Sequence, residues 1–139
     1  MTLLTNITVT YDQWEQMHAH VSQEDPLEAC GLIGGLNGKT LEIFPVVNIL
    51  KSSHRFQIDP SEQFRIFNLL ETKSWDLLAI YHSHPHGPSS PSPTDITDAA
   101  YPNAANLIWS KQAANWGCKA FIISANGFQE MPMLLVDKM

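Results

Sequence analysis

Basic residues are scarce. Eight Lys and Arg stand against fourteen Asp and Glu in 139 residues, a formal net charge of −6. A protein that grips a phosphate backbone needs a basic footprint, so nucleic acid is not the expected partner. Cysteine is scarcer still: Cys30 and Cys118 are the only two, too few for a disulfide scaffold. No apolar run approaches the roughly 20 residues of a membrane-spanning helix. The opening residues, Met1-Thr2-Leu3-Leu4-Thr5-Asn6, have neither the charged start nor the long apolar stretch of a secretory signal. These absences predict a cytoplasmic protein with free thiols and no membrane contact. Internal repeats and low-complexity tracts are missing too. What the chain does have is core-forming bulk. Leu, Ile, Val and Phe make up 36 of the 139 residues, above the ~20% below which chains tend to stay disordered. The length predicts one domain over residues 1–139.

Ile7-Thr8-Val9 is β-prone. Thr10 follows as a helix N-cap with Gln13 three residues on, a capping box, and Trp14, Met17 and Val21 then line one helical face. Asp25-Pro26 ends that helix. Cys30 to Leu36 reads as a central strand of small and apolar residues. Asn37-Gly38 is a hairpin turn, and Leu41 to Val47 the returning strand. Arg55 to Ile58 reads as a short strand. Asp59-Pro60-Ser61-Glu62 is a helix start in which Glu62 completes a box with Asp59, and Phe64, Phe67 (with Ile66) and Leu70 form its buried face. Leu77 to Tyr81 is a strand running into His82-Ser83-His84-Pro85. A proline-rich loop follows, and Thr94 reads as the N-cap of a short helix ending near Ala100. Asn106–Ser110, Lys119–Ser124 and, after a second Asn-Gly turn at 126–127, Phe128–Val136 complete the strands. The expected class is α/β or α+β: a mixed sheet with two main helices and a short third. Trp14, Trp75, Trp109 and Trp116 are expected in or beside the core.

Chemistry concentrates at His82, His84 and Asp95. Side chains i and i+2 of a strand share a face, so both imidazoles can aim at one point. Asp95, eleven residues beyond His84, lies in the first turn of the short helix, and the loop can bring its carboxylate back to them. Two imidazoles and a carboxylate with a fourth position left for water form a catalytic zinc set. Glu28, just ahead of the Cys30 strand, is the candidate general base. Ser92, three residues before Asp95, is placed to donate to a developing oxyanion. His86 sits in the same loop and is read as a surface residue rather than a fourth ligand. His54 is a loop histidine with a substrate contact as the alternative. His18 and His20 lie too far apart around their helix to share a metal, and Cys30 reads as a packed thiol.

The array Glu28, His82-Ser83-His84-Pro85, seven residues, Ser92, two residues, Asp95 resembles the JAMM (MPN-plus) metallopeptidase family, whose pattern is Glu, then His-x-His-Pro, x7, Ser, x2, Asp. Glu28 to Gly34 is also similar to that family's first strand. Asn48 and the stretch Phe56 to Glu62 fall where its prokaryotic members carry an Asn and a strand followed by Asp-Pro. The resemblance implies a JAMM/MPN-like, partly curled sheet, with Zn2+ on His82, His84 and Asp95. It makes Glu28 the general acid/base and Ser92 the group that stabilises the tetrahedral intermediate. It further implies hydrolysis of a peptide or isopeptide bond at the C-terminal tail of a ubiquitin-like or sulfur-carrier protein. Two other readings stand beside it: a non-enzymatic MPN-type scaffold, and a zinc hydrolase of small amides.

Overall fold

A computed structural model describes residues 4–138; Met1–Leu3, part of the stretch read for a signal, and Met139 lie outside it. The chain runs β1 (Ile7–Thr10), α1 (Tyr11–Glu24), β2 (Cys30–Leu36), β3 (Lys39–Val46), α2 (Pro60–Lys73) and β4 (Asp76–His84). There follow α3 (Pro93–Asp98), β5 (Ala105–Gln112), β6 (Asn115–Ser124), β7 (Gly127–Met131) and β8 (Met133–Val136). The eight strands form one mixed sheet in the order β7-β6-β5-β4-β2-β3-β1-β8. β4 pairs parallel with β5, and β1 parallel with β3 and β8; the other pairs are antiparallel.

The sheet separates two apolar clusters. Ile7, Val9, Ile33, Tyr81 and Trp109 pack with Met17 and Val21 of α1. Cys30, Leu32, Phe44 and Val46 pack with Ile66 and Leu70 of α2. Burying one such aliphatic side chain is worth about 1.5–3 kcal/mol. β2 sits between β3 and β4, and the approach is tight: a Cβ on Gly31 would lie 2.1 Å from Tyr81 Cε2, so any larger residue would have to displace the Tyr81 ring. Trp109 is fully buried, while Trp14, Trp75 and Trp116 are half-buried against the clusters.

Several local expectations change. Phe64 is 69% exposed, while Ile66 and Leu70 are buried as expected and Phe67 packs against them. Asp59 does cap α2, accepting from the Ser61 N–H, but Glu62 turns to Arg65 rather than closing a box. Arg55–Ile58 is not a strand; only a bridge between Asn48 and Ile58 forms. β5 and β6 make one long hairpin through Ala113, which adopts a left-handed φ of 56°. The last strand is two, split at Pro132. Proline has no N–H for a ladder, and there the chain leaves one edge of the sheet for the other. Among the described residues, no helix is long and apolar enough to cross a membrane.

Candidate metal centre

β2 and β4 run antiparallel with Cys30 opposite His82. The end of β4 therefore lies beside the start of β2, which sets His82 and His84 next to Glu28. Both imidazoles are buried, and their Nε2 atoms lie 3.1 Å apart. Asp95 completes a triangle, with Oδ1 3.2 Å from His82 Nε2 and Oδ2 3.0 Å from His84 Nε2. Three ligand atoms so close repel one another through their lone pairs unless a proton or a cation lies between them. Ligands about 2.0–2.2 Å from a tetrahedral ion sit at nearly this spacing. His84 Nδ1 is 2.7 Å from the Pro88 carbonyl; donating its N–H there fixes the ring and leaves Nε2 facing the centre beside Asp95. His82 is held by Phe56, stacked at 4.6 Å between ring centroids. The set can hold a metal ion.

The third member depends on α3, whose N-cap is Ser92, not Thr94, and which ends at Asp98 rather than Ala100. Ser92 Oγ accepts the Asp95 N–H at 3.1 Å, and Asp95 Oδ2 accepts the Ser92 N–H at 2.8 Å. This reciprocal capping box uses the Ser92 oxygen as acceptor and leaves its O–H as a donor. Pro93 takes the first helical position, where its missing N–H costs nothing.

Glu28 is 4% exposed, and its Oε1 has no hydrogen-bond partner among the described residues. Burial pushes its carboxyl up to about 8 despite the opposing pull of His84. The backbone around it is tied on both sides. Asn48 Nδ2 donates to the Glu28 carbonyl at 3.1 Å, the Glu28 N–H donates to the Ser52 carbonyl at 2.8 Å, and Ser83 Oγ accepts the Ala29 N–H at 2.8 Å. Asn48 also gathers the Arg55 carbonyl and the Leu50 and Gln57 N–H groups. These positioning roles of Asn48 and Ser83 join residues 20 and 54 positions apart and leave no local trace in the sequence.

The charges at the centre oppose one another. Burial would raise Asp95, but hydrogen bonds from both imidazoles and the Ser92 N–H outweigh it and hold the carboxyl well below its usual range. Burial lowers His82 against the pull of Asp95. Burial depresses His84 as well, but Asp95, the Pro88 carbonyl and Glu28 together raise it above an ordinary histidine. A bound cation takes the place of that imidazole proton, so metal binding releases protons.

Two cavities open at the centre. The larger, about 380 Å3, is walled by Phe56, Ile58, Ile80 and Tyr101 and reaches His82 and Asp95. The smaller, about 140 Å3, is lined by Glu28, His84 and Ser92 with His54 and His86 at its rim. His86 stays outside the three-residue cluster. His18 stacks on Trp14, and His20 reaches the Tyr81 hydroxyl at 2.7 Å. Cys30 is a buried free thiol, pushed up to about 12 mainly by burial.

Comparison with known proteins gives the same picture as the geometry. The chain is 38% identical over 88 residues to the probable TtuB-protein conjugate cleaving protease of Thermus thermophilus, a match covering 63% of this chain and 59% of that protein. It is 30% identical over 135 residues to the CysO-cysteine peptidase of Mycobacterium tuberculosis, covering 95% of this chain and 92% of that one. The solution structure of a Desulfitobacterium hafniense protein superposes with a TM-score of 0.85 at 34% identity, over 96% of this chain and 94% of that one. The family model described as prokaryotic homologs of the JAB domain matches residues 11–129. The motif Glu28, His82, His84, Ser92, Asp95 thus sits on the sheet of the family it pointed to, and the chain belongs to the prokaryotic JAB-domain family.

Proposed function

We propose that this chain is a zinc-dependent hydrolase, one domain over residues 1–139, which cleaves the peptide or isopeptide bond after the C-terminal tail of a ubiquitin-like protein of the sulfur-carrier type in the cytoplasm. One observation carries this reading: a buried His82–His84–Asp95 triangle with an unpaired buried carboxylate, Glu28, beside it. Two neutral imidazoles and a carboxylate suit zinc. When bound, the ion supplies Lewis-acid polarisation of the scissile carbonyl and acidifies water. The relatives named as a conjugate-cleaving protease and a peptidase support hydrolysis of a bond to a protein tail.

The chain's own residues do the rest. Glu28 takes a proton from the attacking water and passes it to the departing amine nitrogen as the C–N bond breaks. Its raised affinity for a proton suits a group that must hold one between the two transfers. The Ser92 O–H, free because its oxygen is already used as the cap acceptor, donates to the oxyanion. The larger cavity, about 380 Å3 with Phe56, Ile58, Ile80 and Tyr101 among its walls, is the space proposed for the tail. The backbone from Arg55 to Ile58 forms its edge and is held only by Asn48 and one bridge, so it can accept a tail as an added strand.

The test is paired. Purified protein should carry about one equivalent of zinc, with His82→Ala and Asp95→Ala losing most of it, and should release the amine from a carrier protein extended at its C-terminus. Full zinc content in both variants, or a zinc-loaded protein with no turnover, overturns the reading.

A further inference from the structure

The end of α1 breaks a local rule. The negative end of a helix favours basic side chains in its last turn and is opposed by acidic ones. Here that turn carries no basic residue, Glu24 is its final residue, and Asp25 is the C-cap. Two carboxylates therefore stand where the helix already carries negative partial charge, and within the turn nothing offsets them. The offset comes from 86 positions away in the chain: Lys111 Nζ lies 2.5 Å from Asp25 Oδ2, with both side chains half-buried. The lysine is itself held. It stands opposite Trp116 in the β5–β6 ladder, and its ammonium lies 5.5 Å from the centroid of that ring, within cation–π reach. An ordinary surface ion pair, worth little, has no such second support.

The pair joins two segments that meet at the centre. On one side, Asp25 is three residues ahead of Glu28. The Leu27 N–H donates back to the Glu24 carbonyl at 2.8 Å, so the chain makes a tight turn there, and a shift of Asp25 reaches Glu28 through only two residues. On the other side, β4 pairs with β5 as far as His84 opposite Ser110, and Lys111 is the next residue. Alternation puts its side chain on the face of Leu107 and Trp109, which pack toward α1. The lysine thus reaches from the strand beside the two histidines to the segment that carries the base. Ser52, Asn48 and Ser83 tie the backbone at Glu28 and Ala29 to the loop after β3 and to β4. Lys111 adds the tie to β5.

We propose that Lys111 is a positioning residue for Glu28: through Asp25 it sets where the general base stands relative to His82, His84 and Asp95. This rests on the hydrolase reading. Neither Lys111 nor Asp25 lines either cavity, so neither touches a tail bound there. Losing the pair then falls on kcat and not on KM. The acidic end of α1, unfavourable for the helix alone, has a use in this arrangement: it gives the distant lysine something to hold.

The experiment measures kcat, KM and zinc content on a carrier protein extended at its C-terminus. Lys111→Met keeps the stem against Trp116 and removes the ammonium. The zinc-loaded variant should lose about 10- to 100-fold in kcat, the scale of a reacting group displaced by an ångström or less, with KM and zinc content as in the parent. Asp25→Asn removes the tie from its other end and should lose a similar factor. The double variant should lose no more than either single one, since both remove one interaction. Lys111→Arg keeps the charge and can stack on Trp116, and should recover most of the rate. In Glu28→Gln, whose base is already gone, adding Lys111→Met should change the single-turnover rate by less than about twofold, because residues that act as a unit are not additive. Parent-like kcat in Lys111→Met and Asp25→Asn overturns this inference and leaves the hydrolase reading standing. So does a loss in KM alone, no recovery in Lys111→Arg, or an undiminished loss in the Glu28→Gln background, each of which would make the pair a support of the fold. A zinc-loaded parent with no turnover overturns the hydrolase reading and this inference with it.

Discussion

Glu28 is a carboxyl group in surroundings that favour its neutral form. Burial raises its proton affinity to about 8, from an ordinary value near 4.5. The folded state thus binds this proton more tightly than the unfolded chain does. The stabilisation is fully present below the unfolded value and is lost as pH rises toward 8. Glu28→Gln keeps the shape and removes the charge. After chelation, its melting temperature should exceed the parent's by more at pH 8 than at pH 5; an equal offset at both would mean that Glu28 is not buried as described. With zinc bound, the same variant should keep its metal and lose roughly 10²–10⁴-fold in kcat, the contribution of a general base. Loss of the metal instead would make Glu28 a ligand. His82, His84, Ser92 and Asp95 are legible in the sequence because their types and spacing are local, whereas Glu28, 54 residues ahead of His82, is tied to them by the family pattern. Asn48 is legible only as a resemblance, because what it does depends on the fold. Its side chain links the Glu28 carbonyl to the Arg55 and Gln57 backbone at the tail edge. Asn48→Ala should leave zinc content unchanged, lower kcat through Glu28 and raise KM through the 55–58 edge, as steady-state kinetics would show. A change in KM alone would confine Asn48 to the tail edge.

At the scale of the element, α3 is the informative case. It has six residues, too few to persist through helix cooperativity, and it presents Asp95, a proposed metal ligand, on its first turn. The capping box between Ser92 and Asp95 is what holds it. Ser92 therefore serves the helix through its oxygen, and in the proposed mechanism it would serve the reaction through its hydrogen. Replacements separate the two. Glycine is tolerated at an N-cap, while alanine costs about 0.5–2 kcal/mol. Ser92→Gly should keep zinc affinity near the parent's and lose about 10²–10³-fold in kcat, the cost of one oxyanion donor. Ser92→Ala should lose as much rate and also bind zinc more weakly, as competition with a chelator would read out. Parent-like turnover in Ser92→Gly would leave Ser92 as a cap alone. The sequence places the helix start at Thr94 because Pro91-Ser92-Pro93 reads as loop; Pro93 at the first helical position is the signal that moves it back by two. The stripe of α2 is a different kind of miss. Phe64, Ile66, Phe67 and Leu70 all fit helical spacing; Ile66 and Leu70 are buried and Phe67 packs against them, and only packing against the sheet leaves Phe64 in solvent.

Across the whole molecule, the mixed sheet with two main helices and a short third follows from alternating strand and helix signals, but its closure does not. Reading Phe128–Val136 as one strand hides Pro132, and with it the passage of the chain from β7 at one edge to β8 at the other. Among the described residues β8 pairs only with β1, and Leu134 and Leu135 are 50% and 37% exposed. Pairing β1 with β8 closes a loop spanning nearly the entire chain. By contrast, the centre is built on the β2–β3 hairpin and its contact with β4, all within residues 28–95. Contacts distant in sequence and poor in buried apolar surface open at lower free energy than the core. Native-state hydrogen exchange should therefore find the Leu134–Val136 amides opening well before those of Ile80–His82; equal protection at both would show one cooperative unit. The seam between β1 and β8 can then breathe on its own clock while the part of the sheet that carries His82 and His84 stays shut, so slow fluctuations at that edge need not reach the proposed metal ligands.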